Sequence, residues 1–334
     1  MLSDTDAVDI RDATGYVAGV PGTGTADHIA FRAADVAAVR SAQAEFSKLN
    51  SSPTNFHDRN YFISLYVREP GGTLFELATD GPGFAIDEAP ERLGEKLIVP
   101  PHDRGHAEDL KVMLPQFAMP GKPRLPQRDL PFVHRFHMPD DPDGSTIVLL
   151  HGSGGNEADL MPFAHRASPR ATLLGVRGRS HEEGIARWFR RYTATTFDQA
   201  DIRSEAEAFV AFIEGAIAGY GLDAARIAFL GFSNGANFAA AVMVLHPDTI
   251  RCAILLRAIP VLDELPKADL AGARVLMVTG SQDPFGKRAP VLSNWFAECG
   301  ADLDDRKIDA GHELVPGEAE IVREWIRASI GRSS

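Results

Sequence analysis

The feature that most constrains this chain is a short apolar segment that runs directly into a glycine-flanked serine. Residues 227–230 have the length and composition of a buried strand, and Gly231-Phe-Ser-Asn-Gly235 follows at once. Small and apolar residues at 236–245 then predict a helix. A serine on such a strand-to-helix turn has a strained backbone, so its neighbours must be small. The sequence therefore predicts that Ser233 is a nucleophile at the carboxyl edge of a sheet.

An acid and a base follow further along the chain, in the order Ser, Asp, His. Residues 274–279 have the composition of a buried strand and lead to Asp283, and the alternating stretch 302–308 leads to His312. Loops that follow strands converge on the site of an open α/β sheet. Because a serine hydroxyl attacks a carbonyl poorly until a base takes its proton, we predict a triad of these three residues. The alternatives are a turn-forming aspartate before a proline and a loop histidine without a role.

A glycine-rich loop after another apolar run suits an oxyanion hole. Residues 145–150 lead into His151-Gly-Ser-Gly-Gly, whose glycines allow backbone N–H groups to converge on one point. We expect the N–H groups of Ser153 and Asn234 to be the donors. A phosphate-binding loop is one alternative, but the sequence has no Lys-Ser/Thr pair of a P-loop here. A metal-ligating His151 is another, but no second ligand lies at a useful spacing.

Taken together, residues 132–331 resemble the phospholipase/carboxylesterase group of α/β-hydrolases. The motifs that carry the resemblance are His151-Gly-Ser-Gly-Gly, Arg187-Trp-Phe-Arg-Arg-Tyr, Gly231-Phe-Ser-Asn-Gly, Gly280-Ser-Gln-Asp and Gly311-His. The resemblance implies a serine esterase or acyl-thioesterase that forms an acyl-enzyme, needs no cofactor and acts on a small-molecule ester or thioester. It also implies that Trp188 and Phe189 form part of the acyl-side wall of the pocket. The alternative is a surface loop with one aromatic anchor.

Residues 26–80 alternate in a different pattern, which predicts a separate unit of β-α-β-β-β order. Strands are expected at 27–32, 61–67 and 73–78, and a helix capped by Asp35 is expected to run to residue 49. A curled sheet of this order brings His28 and Glu76 to one concave face. Histidine and glutamate on adjacent strands are two of the three ligands of a non-haem iron or manganese site.

This front part resembles the second half of hydroquinone ring-cleaving dioxygenases of the vicinal-oxygen-chelate, glyoxalase-like superfamily. The matching stretches include His28-Ile-Ala-Phe-Arg, Asp58-Arg-Asn-Tyr-Phe and Leu74-Phe-Glu-Leu-Ala-Thr-Asp. The resemblance implies Fe²⁺ or Mn²⁺ bound by His28 and Glu76, with Arg59 and Tyr66 supporting these ligands.

Two departures from that superfamily leave the role of the front part open. The third ligand comes from an amino-terminal module for which the 26 residues before Asp27 are too few, and Asp27 stands where a histidine is usual. Three interpretations remain: a half-module that only packs or forms a homodimer, a metal site completed by His28 and Glu76 of a second chain, or a site completed by another protein.

The net charge of −12 disfavours nucleic acids and anionic membranes as partners. Two cysteines, Cys252 and Cys299, provide no disulfide framework and are expected to be packing residues in a reducing compartment. The acidic start lacks the features of a signal peptide, and no apolar stretch is long enough to span a bilayer. We therefore expect a soluble cytoplasmic protein.

Prolines concentrated between residues 100 and 131 predict an extended connection, in which 108–114 could form a short helix. The expected organisation is a glyoxalase-like half-module at 1–99, a Pro-rich linker at 100–131 and an α/β-hydrolase domain with a mostly parallel, doubly wound sheet at 132–334. The first functional hypothesis is a serine carboxylesterase with an appended dioxygenase half, in the context of aromatic or quinone catabolism. Its rival is a metal-dependent ring-cleaving dioxygenase whose hydrolase part processes the product.

Overall fold

The computed structural model describes residues 26–49, 55–69, 72–96, 98–116, 127–182 and 184–330. They divide into two compact units, a front unit that ends at Arg104 and a second unit that begins at Gly105. The division lies inside the stretch for which the sequence predicts a linker. No helix among these residues combines the length and the apolar character needed to cross a bilayer.

The front unit is a four-stranded sheet packed against one helix. Its elements are β1 (His28–Ala33), α1 (Val36–Lys48), β2 (His57–Asp58), β3 (Ile63–Arg68) and β4 (Leu74–Thr79). The strand order is β1-β4-β3-β2, in which β1 runs parallel to β4 and the other pairs are antiparallel. Asp35 caps α1 by accepting the Ala38 N–H. The predicted β-α-β-β-β order is confirmed.

The second unit contains the remaining helices and strands of the described chain. They are α2 (Ala107–Met113), β5 (His134–His137), β6 (Thr146–Leu150), α3 (Met161–Ala167), β7 (Thr172–Val176), β8 (Ser180–Glu182), β9 (Ile185–Arg187), α4 (Gln199–Tyr220), β10 (Ile227–Phe232), α5 (Asn234–Leu245), β11 (Cys252–Leu256), β12 (Arg274–Gly280), α6 (Ala289–Glu298), β13 (Asp302–Ile308) and α7 (Glu318–Ile330).

Seven of these strands form one sheet in the order β13-β12-β11-β10-β6-β7-β5. Every neighbouring pair is parallel except β5 with β7. Along β10, Phe229 and Leu230 are buried in two different apolar clusters, because successive side chains of a strand point to opposite faces. Helices α4, α5 and α6 supply the first cluster, and α2, α3 and α7 supply the second. The predicted doubly wound, mostly parallel sheet is confirmed.

Helix α2 lies within the stretch predicted as a linker, yet it belongs to the core of the second unit. Its Val112 is buried in the same cluster as Phe163 of α3 and Trp325 of α7. Burial of a side chain of this size stabilises a fold by about 1.5–3 kcal/mol. The folded part of the second unit therefore begins well before residue 132.

Candidate active site

Ser233 occupies the sharp turn between β10 and α5. Its backbone has φ 51° and ψ −115°, a region that side-chain-bearing residues rarely adopt and that stores strain. The flanking glycines are required by close approach: a Cβ on Gly231 would lie 2.6 Å from the Ala236 nitrogen, and one on Gly235 would overlap the Leu150 carbonyl. Close packing around the turn therefore requires glycine at positions 231 and 235.

Three predicted residues, distant in the sequence, meet at this turn. The Nε2 atom of His312 lies 2.8 Å from Ser233 Oγ, and its Nδ1 atom lies 3.0 Å from Asp283 Oδ2. The Asp283 side chain is 1% exposed, and its other oxygen accepts the Phe285 N–H at 2.9 Å. Since an ionised carboxylate only accepts, Nδ1 carries the proton of neutral His312 and Nε2 is free to accept the serine hydroxyl. The arrangement can remove a proton from Ser233.

The loop that carries His312 is held by a buried arginine that the sequence analysis missed. Arg257 follows β11 with φ 62°, and its guanidinium donates to the carbonyls of Gly311 at 2.9 Å and Glu313 at 3.0 Å. These carbonyls lie on either side of His312 in the chain. The sequence signal for this buried arginine is its position directly after an apolar strand, where a side chain is expected to be buried.

Arg257 is paired with a carboxylate that is equally buried. Its two terminal nitrogens donate to Glu318 at 2.7 and 2.8 Å, and both side chains are 0% exposed. Glu318 begins α7 and also accepts the Val315 N–H at 2.9 Å. Buried charges of this kind are tolerated only when they are paired and hydrogen-bonded. The pair therefore connects the end of β11, the histidine loop and the start of α7.

The two predicted oxyanion donors lie beside Ser233 in the lining of one cavity. Asn234 is the first residue of α5, so its N–H is one of the helix N-terminal groups without an intrahelical acceptor. The loop before Ser153 is fixed by buried His151, whose Nδ1 donates to the Gly152 carbonyl at 2.6 Å and whose Nε2 accepts the Gly178 N–H at 3.0 Å. Burial lowers the pKa of His151, which favours this neutral, loop-orienting form.

Trp188 and Phe189 do not line this cavity, although the resemblance places them in its acyl-side wall. They are 0% and 1% exposed, and the indole stacks on Phe238 at 5.0 Å within the core. The indole N–H donates to the His151 carbonyl and the Trp188 backbone N–H donates to Asn234 Oδ1, each at 2.9 Å. Trp188 therefore supports the loop predicted to form the oxyanion hole and the start of α5.

The cavity above Ser233 has a volume of about 200 Å³. Phe197, Ile259 and Phe285 provide apolar walls, and the exposed residue Arg191 also belongs to the lining. Phe285 also packs its ring edge against His312, with 5.4 Å between the ring centroids. Apolar substituents of a carbonyl compound suit the walls formed by Phe197, Ile259 and Phe285.

In the front unit, His28, Glu76, Tyr66 and Arg59 are also brought together. His28 Nε2 lies 2.9 Å from Glu76 Oε2, its ring meets Tyr66 edge-on with centroids 5.4 Å apart, and Arg59 donates to the Tyr66 hydroxyl at 3.4 Å. Asp27, which replaces the usual histidine, accepts from His28 Nδ1 at 2.9 Å. That hydrogen bond, with the charge of Glu76, raises the pKa of His28.

The donor set fits part of a metal site. Glu76 is 4% exposed, and its Oε1 atom is buried without a hydrogen-bond partner. A buried carboxylate oxygen without a partner is costly, and a divalent cation would satisfy it. Within the described ranges, however, no group of three or more His, Cys, Asp or Glu side chains could hold a metal ion. His28 and Glu76 supply two ligands, and the rest would have to come from another molecule.

The front part is similar to ring-cleaving dioxygenases. MhqO of Bacillus subtilis (strain 168), named as a ring-cleaving dioxygenase, is 42% identical over 99 residues, which are 30% of this chain and 32% of that protein. The chain thus spans about a third of the length of this relative. The predicted similarity to a glyoxalase-like half-module is confirmed.

The second unit is similar to hydrolases over most of its length. Residues 133–330 match the family described as Phospholipase/Carboxylesterase. MhqD of Bacillus subtilis (strain 168), named as a hydrolase, is 34% identical over 188 residues, which are 56% of this chain and 94% of that protein. The crystal structure of a carboxylesterase from Mesorhizobium loti superposes with a TM-score of 0.58 at 42% identity, covering 60% of this chain and 96% of that one. The chain therefore belongs to the phospholipase/carboxylesterase family and is a hydrolase of the esterase type.

Proposed function

We propose that the second unit hydrolyses carboxylic esters or thioesters through an acyl-enzyme on Ser233. The observation that carries the proposal is the hydrogen-bonded chain from Ser233 Oγ through His312 to Asp283. As Oγ attacks the substrate carbonyl, His312 Nε2 takes its proton. Asp283 keeps His312 in the required tautomer and stabilises the imidazolium that forms.

The remaining steps use groups that already line the cavity. The N–H groups of Ser153 and Asn234 donate to the oxyanion of the tetrahedral intermediate, a contribution of about 2.7–4 kcal/mol for each such donor. His312 then gives its proton to the departing alcohol or thiol. Water attacks the acyl-enzyme with His312 as base, which releases the carboxylic acid and restores Ser233. Every proton in this cycle moves between protein, substrate and water, so the chemistry requires no cofactor.

Replacing the nucleophile tests this proposal. Ser233→Ala should lower kcat for p-nitrophenyl acetate by roughly 10⁴–10⁶-fold, because a triad acts as a unit. His312→Ala should cost about as much and Asp283→Ala less. Ser281→Ala is the matched control, since its hydroxyl contacts Asp309 outside the cavity. A Ser233→Ala protein with most of the wild-type kcat would show that the nucleophile is elsewhere.

We also propose a second function, for the front unit: binding of one divalent transition metal, Fe²⁺ or Mn²⁺, between two copies of the chain. It is favoured by the buried, unpartnered Oε1 of Glu76 beside His28. Two copies related by a two-fold axis would contribute two imidazoles and two carboxylates. A metal of this kind would supply the oxidative chemistry that the similarity to ring-cleaving dioxygenases suggests, and it would connect the hydrolase to aromatic or quinone catabolism.

Metal content measured together with molecular mass tests the second proposal. Full-length protein incubated with Mn²⁺ and freed of excess metal should contain one metal per dimer by elemental analysis, with the dimer mass confirmed by light scattering. Glu76→Gln should lose the metal, whereas Glu69→Gln, outside the His28 cluster, should keep it. A metal-free monomer would leave the front unit as a packing module.

A further inference from the structure

The two arginines that line the active-site cavity differ in whether a carboxylate is paired with them. Two arginines, Arg191 and Arg257, line the cavity, and no aspartate or glutamate of the described chain does. The charge of Arg257 is neutralised by its buried pair with Glu318 at 2.7 Å. No carboxylate of the described residues lies within ion-pair distance of the Arg191 guanidinium. Among the described residues, Arg191 is therefore the cavity-lining cation without a carboxylate partner.

Two other arginines of the same segment do have carboxylate partners, so the lack of a described partner is specific to Arg191. Arg187 pairs with Glu182 at 3.6 Å, and Arg190 lies 3.3 Å from Asp201 and 3.5 Å from Asp198. Glu182 also accepts the backbone N–H of Arg191 at 3.3 Å, but its charge is shared with Arg187. The carboxylates of Glu182, Asp198 and Asp201 are thus engaged by other groups.

The segment that carries Arg191 is anchored on both sides of its turn. Arg191 forms an antiparallel bridge with Phe197, and the Tyr192 N–H donates to the Thr196 carbonyl at 2.8 Å. The ring of Phe197 packs edge-on against buried Phe189, with 5.6 Å between the centroids. The backbone of Arg191 is therefore fixed beside the cavity, while the residue itself is exposed.

We propose that the cavity takes esters or thioesters that carry a carboxylate, and that Arg191 binds this carboxylate. The planar guanidinium matches a carboxylate with two parallel hydrogen bonds. The apolar walls from Phe197, Ile259 and Phe285 hold the atoms between the carboxylate and the scissile bond. Because the whole chain carries a net charge of −12, a local cation is needed to attract an anionic substrate. This inference rests on the proposed Ser233 chemistry.

Two matched substrate pairs test the proposal and show whether the substrate carboxylate belongs to the acyl part or to the alcohol part. In the first pair the acyl part differs: the mono-p-nitrophenyl ester of adipic acid against p-nitrophenyl hexanoate. In the second the alcohol part differs: meta-acetoxybenzoate against meta-acetoxybenzamide. At low salt, wild-type kcat/KM should be about tenfold higher for the anionic member of at least one pair, equivalent to about 1.4 kcal/mol. The preference should shrink in 1 M NaCl, where the Debye length is about 3 Å.

Variants assign the preference to Arg191. Arg191→Gln should bring the ratio of anionic to neutral kcat/KM close to one, and Arg191→Glu should reverse it. Arg203→Gln is the control, because it removes the same charge from an exposed residue of α4 that does not line the cavity. It should keep the wild-type ratio. Since Arg191 is exposed, neither substitution removes a core contact.

The outcomes separate this inference from the proposed function. Ser233→Ala should lose activity on all four esters, and if it does not, the proposed function is wrong. If Ser233→Ala is inactive but wild type prefers neither anionic ester by more than about twofold, or Arg191→Gln and Arg203→Gln have the same ratio, the carboxylate preference is overturned while the hydrolase mechanism stands.

Discussion

Arg257 offers a test of how the histidine loop is positioned. In Arg257→Met, the side chain keeps its apolar stem but loses its donors to Gly311, Glu313 and Glu318. Glu318 is then left buried without a counter-ion, which costs about 3–5 kcal/mol. Against a total free energy of unfolding of about 5–15 kcal/mol, this is a large loss. Urea unfolding of the variant should therefore shift clearly to lower denaturant.

The double variant Arg257→Met/Glu318→Leu separates stability from positioning. Removing both charges leaves no unpaired buried ion at this position, so most of the free energy of unfolding should return. The carbonyls on both sides of His312 still lack their donor, so kcat should stay low by on the order of 100-fold, the effect of a misplacement of about 1 Å. KM should change less than kcat, because Arg257 is one of the cavity-lining residues but the walls formed by Phe197, Ile259 and Phe285 remain.

The assay is kcat and KM for p-nitrophenyl acetate, measured at a temperature where all the proteins are folded by circular dichroism. A double variant that regains both stability and wild-type kcat would refute the reasoning. Arg257 would then stabilise the fold without positioning His312.

Three further predictions concern acid stability, thiol reactivity and the extent of the second unit. Because burial lowers the pKa of His134, the unfolded chain binds more protons below about pH 6.5, so the free energy of unfolding should fall from pH 7 to pH 5. Between pH 7 and pH 5 the urea midpoint of His134→Gln should fall less than that of wild type. An equal fall in both proteins would contradict this prediction. Burial raises the pKa of Cys252 to about 12, so Ellman's reagent should react much more slowly with native than with unfolded protein at pH 8. A fragment that begins at Gly105 should keep esterase activity, whereas one that begins at Leu130 lacks Val112 and should unfold at lower urea; equal midpoints would place α2 outside the core.

The strands that precede the three residues could be predicted from local patterns, because 227–230 and 274–279 are short apolar runs and 302–308 is an alternating stretch. β10, β12 and β13 lie where the sequence indicates them, and their carboxyl ends bring Ser233, Asp283 and His312 together. In the front unit, alternation of side chains along the strands predicts that His28 and Glu76 share one face of the sheet, and the two side chains lie 2.9 Å apart. In both units, local pattern plus sheet geometry was enough.

The features that could not be predicted depend on contacts between residues that are far apart in the sequence. Arg257 and Glu318 are 61 residues apart, and nothing local to either indicates that a buried ion pair joins them. The aromatic character of Trp188 was evident, but its burial follows from hydrogen bonds to His151 and Asn234, 37 and 46 residues away. The sequence allows a short helix at 108–114, but nothing local to Val112 indicates that this helix packs into the core of the second unit.

The central claim is that Ser233 is the residue that carries the acyl group, and covalent labelling tests it most directly. Full-length protein treated with a fluorophosphonate probe should gain one adduct per chain by intact mass, and peptide mapping should place it on Ser233. Ser233→Ala should gain none, while Ser281→Ala should label like wild type. An adduct on another residue, or wild-type protein that hydrolyses p-nitrophenyl acetate without being labelled or inhibited, would contradict the account.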